Sequence, residues 1–274
     1  VVYLLHGLTG DATVWTRFQN VERLVEDRGV VLVMPSADRS FYANDPRPGG
    51  LPYLDYLTQE IRGEVERVFP VVPDRAARAC VGLSMGGYVA FAMWHRHAAR
   101  VAGLALLDTR AEPDTPAGRA NRDAGIALIR ERGVLAVAGD MLPKVLAPSS
   151  QRDAGLTERV RAMMADQPAS GMIGALAAMR DRPDSVPTLA TITVPTLVAA
   201  GAEDQLTPPD DARKMAARIE GAAMAVIMVA GNQAVVPGSL TSGVRTMTAN
   251  IVLEMGYATD LHRDALIATA VVLF

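Results

Sequence analysis

Ala79-Cys80-Val81-Gly82-Leu83-Ser84-Met85-Gly86-Gly87-Tyr88-Val89-Ala90 is the stretch whose reading decides the fold. An apolar run, Ala79 to Val81, meets a Gly-x-Ser-x-Gly core, and an apolar helical pattern from Val89 to Trp94 follows. Strand, sharp turn and helix are the context in which a serine nucleophile stands at the top of a sheet. Such a turn forces Ser84 into strained backbone geometry. Gly82 and Gly86 remove the side chains that would clash there. The hydroxyl is then expected in the open. The amide of Met85 is expected at the N-terminus of the next helix, where an oxyanion is stabilised. The competing reading is a glycine-rich turn with an idle serine.

Upstream of this turn, Val1 to Leu5 reads as a buried strand that runs into His6-Gly7-Leu8-Thr9-Gly10-Asp11. A His-Gly pair after a buried strand is a place for a second oxyanion donor, and the backbone amide of Leu8 is the candidate. Gly7 would let the backbone approach a substrate. His6 reads as a structural hydrogen-bonding group in that loop rather than a base. Residues 12 to 28 carry Val14, Phe18, Val21, Leu24 and Val25 at helical spacing, with Trp15 expected in the core, the other reading being a place at the pocket mouth, and Gly29 closing the helix. Val30 to Met34 is a second buried strand. Residues 35 to 52 form a loop rich in Gly, Pro, Asp and Ser, and Tyr53 to Phe69 has helix period. This alternation predicts an α/β fold: a mostly parallel sheet with helices on both faces. Ligands bind such sheets beyond the carboxyl ends of the strands, where both His6 and Ser84 fall.

Downstream, Val101 to Leu107 is another apolar run that ends at Asp108. Residues 112 to 190 change character. They are helical with Gly and Pro breaks, and they hold Met141, Met163, Met164, Met172 and Met179. We read them as an inserted helical lid, in which flexible methionines serve as core filler or line a pocket for varied acyl chains. The hydrolase-like core thus divides into 1–111 and 191–235, leaving an atypical tail over 236–274. The sheet resumes at Thr196 to Ala200. Asp204 lies on the loop just after it, where the acid of a Ser, Asp, His series belongs, and Asp108 is the second candidate. Residues 209 to 220 read as a helix and Ala223 to Val229 as a strand.

The chain has 274 residues, half of them hydrophobic and 21% charged, which suits one sizeable globular domain with an insertion. A net charge of −3 calls for no nucleic acid and no anionic membrane. The terminal run, 265 to 274, is about half the length needed to cross a bilayer. The lone Cys80 sits in the apolar run, so no disulfide forms within the chain. With no visible signal peptide, the expectation is a cytoplasmic protein. Because Val1 already stands inside a strand-like run, residues are expected upstream of it.

Taken together, these residues resemble a serine esterase of the α/β-hydrolase superfamily. His6-Gly7 and Gly82 to Gly87 resemble its oxyanion loop and nucleophile elbow. Val194-Pro195-Thr196 through Gly201, Glu203 and Asp204 to Pro208 resembles its acid strand and loop. The stretch before the elbow is most similar to the tributyrin-esterase or esterase D group. The stretch from Tyr88 through the lid is more similar to small lid-bearing esterases and enol-lactone hydrolases. The resemblance implies a small-molecule ester substrate, an acyl-enzyme on Ser84, and no metal or organic cofactor. It also implies a base histidine after the last strand, commonly in a Gly-His pair, and here the pair is Gly231-Asn232. From about Ala225 onward the chain instead resembles the C-terminal part of a phosphate-transporter permease subunit, although it includes no complete membrane span. Of the four histidines, His95 and His97 follow Ser84 by about three helical turns, roughly 16 Å. Only His262 follows the acid. The expected catalytic set is therefore Ser84 and Asp204, with His262 as the base or no base at all. A hydrolase-fold protein that only binds acyl compounds is the alternative.

Overall fold

The computed structural model describes residues 1–7, 11–19, 21–37, 42, 44, 50–148 and 150–227. Its centre is a six-stranded sheet, all parallel. The strands are β1 (Val2–Leu5), β2 (Leu32–Val33), β3 (Ala79–Leu83), β4 (Gly103–Leu107), β5 (Thr196–Gly201) and β6 (Ala223–Ile227). They lie in the order β2-β1-β3-β4-β5-β6. The helices are α1 (Val14–Gln19), α2 (Val21–Leu24), α3 (Tyr53–Asp55), α4 (Arg62–Val68), α5 (Met85–His97), α6 (Pro116–Arg132), α7 (Leu135–Val145), α8 (Ala154–Ala165), α9 (Ala169–Asp181), α10 (Val186–Leu189) and α11 (Pro209–Ala216).

The chain steps one way from β1 to β2, then back past β1 to β3 and onward. Right-handed crossovers therefore put α1 and α2 on one face of the sheet and α4, α5 and α11 on the other. The second face holds the larger core. Leu5, Leu106 and Val198 from the strands, Phe91 from α5, Leu189 from α10 and Met215 from α11 are all 1% exposed or less. Cys80 joins this core, and burial pushes its thiol up to about 12, so it acts as a small hydrophobe. Among the described residues no helix is long and apolar enough to cross a membrane.

Two helical expectations change in detail. The helix read over 12 to 28 is α1 plus α2, followed by turns in which Asp27 and Gly29 take positive φ. The helix read over 53 to 69 contains a π-helical turn, Tyr56–Ile61, between α3 and α4. One extra residue in a turn shifts the apolar phase without erasing it, so helix period alone does not reveal it. The carbonyl of Thr58 inside that turn accepts from Arg62 Nε (3.2 Å) and Arg100 Nη1 (3.3 Å).

Between β4 and β5 the chain makes α6 to α10. Arg182 ties this insertion to the core. Its guanidinium donates to Asp114 (2.7 Å), to the carbonyl of Met179 (2.9 Å) and twice to the carbonyl of Glu112, and it lies 5.0 Å over the ring of Tyr88 on α5. Asp114 is shared with Arg122 (3.0 Å). Burial alone would raise the Asp114 carboxyl, but these two guanidiniums hold it below its ordinary value.

Candidate active site

Ser84 sits between β3 and α5 with φ 53 and ψ −108, and its side chain is exposed. A non-glycine residue in that region costs about 1–3 kcal/mol, so its surroundings must hold it there. Three hydrogen bonds do so. Ser84 N donates to Leu107 O of β4 (2.8 Å), while Gly87 N and Thr109 Oγ1 donate to Ser84 O (both 3.0 Å). The glycines make the turn possible by space as well as by conformation. A Cβ on Gly82 would lie 2.3 Å from Gly86 O, and one on Gly86 would lie 2.2 Å from Leu5 O. A Cβ on Gly87 would collide with the Thr109 side chain at 2.5 Å. Helix α5 is thus pressed against β1 and against Thr109 just beyond β4, directly under the serine.

Met85 is the first residue of α5, so its N–H has no acceptor within the helix and stands at the positive end of the helix dipole. The loop after β1 comes alongside: a Cβ on Gly7 would lie 3.5 Å from Ser84 Cβ. Leu8, the expected second oxyanion donor, lies outside the described residues.

His6 is fully buried and both ring nitrogens are engaged. Ala37 N donates to Nε2 (3.1 Å) and Nδ1 lies 2.7 Å from Gly7 O. Nε2 is therefore the acceptor and Nδ1 carries the proton, an assignment made from the hydrogen-bond partners. The ring fastens the loop beside Ser84, with both nitrogens committed to backbone groups. His95 and His97 lie near the far end of α5, about 16 Å or more along its axis from Ser84. Burial, then Arg100 and Arg96, lower the His97 pKa. Asn232 and His262 lie outside the described residues.

The strands bring two carboxylates to the same edge. Leu83 pairs with Leu107, and Leu107 with Ala199, so the chain leaves β3, β4 and β5 side by side. Asp204 belongs to the loop after β5. Its Oδ1 accepts from Leu206 N (2.7 Å) and Thr207 N (2.9 Å), and its Oδ2 from Thr207 Oγ1 (2.5 Å). A carboxylate offers about four lone-pair sites, so one on Oδ2 is left for a further donor. Asp108 follows β4 with φ 43, and its Oδ1 accepts from Gly201 N (2.9 Å). A Cβ on Gly201 would be 3.7 Å from Asp204 Cβ and 3.9 Å from Asp108 Oδ1, so the two acids flank one glycine. The positive φ and this bond were not legible in the sequence, which offered Asp108 only as a second acid.

Burial, followed by the charge of Asp204, raises the Asp108 carboxyl above its ordinary value, against the pull of the Gly201 amide. A raised folded-state pKa contributes stability that is present below the unfolded value and lost as pH rises through the folded one. Asp108→Asn keeps the shape, an acceptor and tolerance for positive φ. It is therefore expected to melt at or above the parent temperature at pH 7. The difference should close as pH falls below about 4, the ordinary aspartate range. Thermal melts from pH 3.5 to 7.5 check this; a variant that melts well below the parent at pH 7 would make the charged form stabilising.

Among the described residues no His, Cys, Asp and Glu cluster can hold a metal ion. A strained, exposed serine at a strand-to-helix turn, a helix-terminal amide beside it with no acceptor within the helix and an acid loop two strands away define a class, the α/β hydrolases. The chain belongs to the alpha/beta hydrolase family, whose sequence model matches residues 2–238. An acetyl esterase from Caldicellulosiruptor saccharolyticus is 32% identical over 87 residues, so the chain matches about a third of that relative's length (32%). A thermophilic esterase from Thermogutta terrifontis superposes with a TM-score of 0.63 at 28% identity, over 83% of this chain and 80% of that one. A hydrolase from Pseudomonas aeruginosa superposes at 0.61 with 25% identity, over 83% and 80%. The enol-lactonase of Burkholderia xenovorans, at 23% identity and a TM-score of 0.59 over 82% of each chain, shares the fold.

Proposed function

We propose that this chain is a serine hydrolase of small to medium carboxylic esters that works through an acyl-enzyme. The observation that carries the reading is the backbone of Ser84, held strained and exposed by bonds from three neighbouring segments. Ser84 Oγ attacks the ester carbonyl, and the carbonyl oxygen becomes an oxyanion. The amides of Met85 and Leu8 stabilise that charge. The proton that Ser84 Oγ gives up passes to the departing alkoxide as the C–O bond breaks, and water then attacks the acyl-serine, its proton returning to Ser84 Oγ as the acid is released. Asp204 holds its last lone pair for the N–H of a base. His262 is the histidine that follows it in the chain, and Asn232 stands where the family's histidine is expected, so catalysis is weak. Residues 112–190 act as a lid over the site. The substrate is a small molecule, and the likeness of the tail to a transporter subunit adds no transport function.

A fluorophosphonate probe tests the nucleophile directly, because an unactivated serine labels slowly. The parent chain is expected to take up one label, more slowly than an esterase with a complete set of catalytic groups, and Ser84→Ala none. Labelling indistinguishable from Ser84→Ala even after prolonged exposure to excess probe would favour the alternative, a catalytically silent protein that binds acyl compounds.

A further inference from the structure

A cavity of about 480 Å³ opens where the π-helical turn faces the end of α5, and Asp55, Thr58, Gln59, Arg62, His97 and Arg100 line it. Its volume is in the range of small-molecule sites, about 300–1,000 Å³. It is separate from the serine. His97 closes α5 and Arg100 ends the short turn before β4, so the cavity stands near the amino ends of the strands, about 20 Å along α5 from Ser84. π-Helical turns are rare and recur at functional sites.

This cavity holds more donors than the protein uses. Arg62 Nε and Arg100 Nη1 converge on the Thr58 carbonyl, at 3.2 and 3.3 Å, so two guanidiniums are held side by side. Each guanidinium carries five N–H donors in a fixed plane. Arg62 gives one more to Glu66 (3.1 Å), and Arg100 has no acid partner among the described residues. These groups are open to solvent: the Arg62 side chain is 32% exposed, and Arg100 and His97 are half-buried. The acids nearby are engaged. Glu66 is shared with Arg78 (2.8 Å), and Asp55 accepts from Asn44 Nδ2 (2.9 Å) and Gln59 Nε2 (3.1 Å). Two guanidiniums thus face one lining carboxylate, and an anion between them relieves their mutual repulsion. His97 makes no hydrogen bond among the described residues. Burial, then Arg100 and Arg96, lower its pKa, so at neutral pH the ring is uncharged and offers one N–H.

We infer that this cavity is a second ligand site, which takes the phosphoryl group of a small phosphomonoester. The dianion sits between Arg62 and Arg100, whose planar forks match its oxygens, and it accepts from His97. The rest of the cavity receives the organic part of the ester. A carboxylate has one charge and two oxygens, so it leaves one guanidinium without a partner. The site goes beyond the hydrolase reading and does not depend on it.

Calorimetry on the full chain, in about 0.15 M salt near neutral pH, compares glycerol 3-phosphate, inorganic phosphate, acetate and glycerol. Glycerol 3-phosphate is expected to bind roughly tenfold or more tighter than acetate and severalfold tighter than inorganic phosphate, and glycerol is expected not to bind. Arg100→Gln is expected to weaken glycerol 3-phosphate roughly tenfold or more, Arg100→Lys less, and His97→Ala severalfold. Arg161→Gln on α8, outside the cavity, removes the same charge and is expected to change little. If circular dichroism shows that Arg100→Gln has not folded, His97→Ala decides, because that ring ties no other group in place. Failure of both phosphates to bind, unchanged affinity in the deciding variant, or an equal loss in Arg161→Gln overturns the site. Acetate binding as tightly as glycerol 3-phosphate overturns the dianion, and inorganic phosphate binding as tightly overturns the ester. The measurement reads binding, so it stands whether or not Ser84 turns over esters.

Discussion

A Gly86→Ala variant is expected to lose on the order of 3 kcal/mol or more of stability, a drop in Tm of roughly 6–12 °C for a chain of this size. The added methyl would lie 2.2 Å from Leu5 O, 2.8 Å from Leu5 C and 3.0 Å from Leu5 Cβ. Leu5 belongs to β1, which is paired on both sides by β2 and β3. Its backbone cannot yield as the end of a flexible side chain could. Either α5 lifts off the sheet or β1 breaks its ladder, and both changes also displace Ser84. Gly7→Ala is the control from the same site. Its methyl would meet Ser84 Cβ at 3.5 Å and Leu83 O at 3.6 Å, which are ordinary contacts. That variant is expected to melt within a few degrees of the parent but to turn over esters more slowly, because the methyl fills space beside the nucleophile. Calorimetric melts of both variants, with p-nitrophenyl ester rates for Gly7→Ala, measure the two effects. Equal melting of Gly86→Ala and the parent would mean that α5 and β1 are not in this close approach.

What could be read from the sequence follows from how each feature is encoded. The turn at Ser84 is written in residue types, because only glycine fits at positions 82 and 86. The buried strands are written in apolar runs, so β1, β3, β4, β5 and β6 fall within a residue or two of their expected places. Strand β2 shrinks to Leu32–Val33, paired among the described residues with β1 alone, because five apolar residues do not say how many find a partner. The left-handed backbone of Asp108 was hidden because aspartate serves in any turn. The role of Arg182 was hidden too, because its partners Asp114, Glu112 and Tyr88 are far from it in the chain. The nucleophile and acid loops are local motifs and were legible. The docking of the inserted helices through Arg182 comes from tertiary packing and was not.

Asn232→His is expected to raise ester turnover by about 10²–10⁴-fold, the usual contribution of a positioned general base. Asparagine cannot accept and return a proton near neutral pH, so Ser84 remains a weak nucleophile in the parent. Without one triad member, the oxyanion site and binding still give roughly 10³–10⁴-fold catalysis over water, so weak activity is expected and full activity is not. Chain reach favours position 232. The described part of β6 runs to Ile227, paired with Gly201 at the mouth of the Asp204 loop. Ser84 lies three strand spacings from β6, about 14 Å across the sheet. Five further residues span up to about 17 Å, enough to carry a side chain at 232 between Asp204 and Ser84. The companion change His262→Ala is then expected to leave the rate unaltered. The reverse pattern would show that the tail supplies its own base: no gain from Asn232→His, and collapse of activity in His262→Ala. Hydrolysis of a short p-nitrophenyl ester by the parent and both variants, with Ser84→Ala as the blank, separates the two patterns.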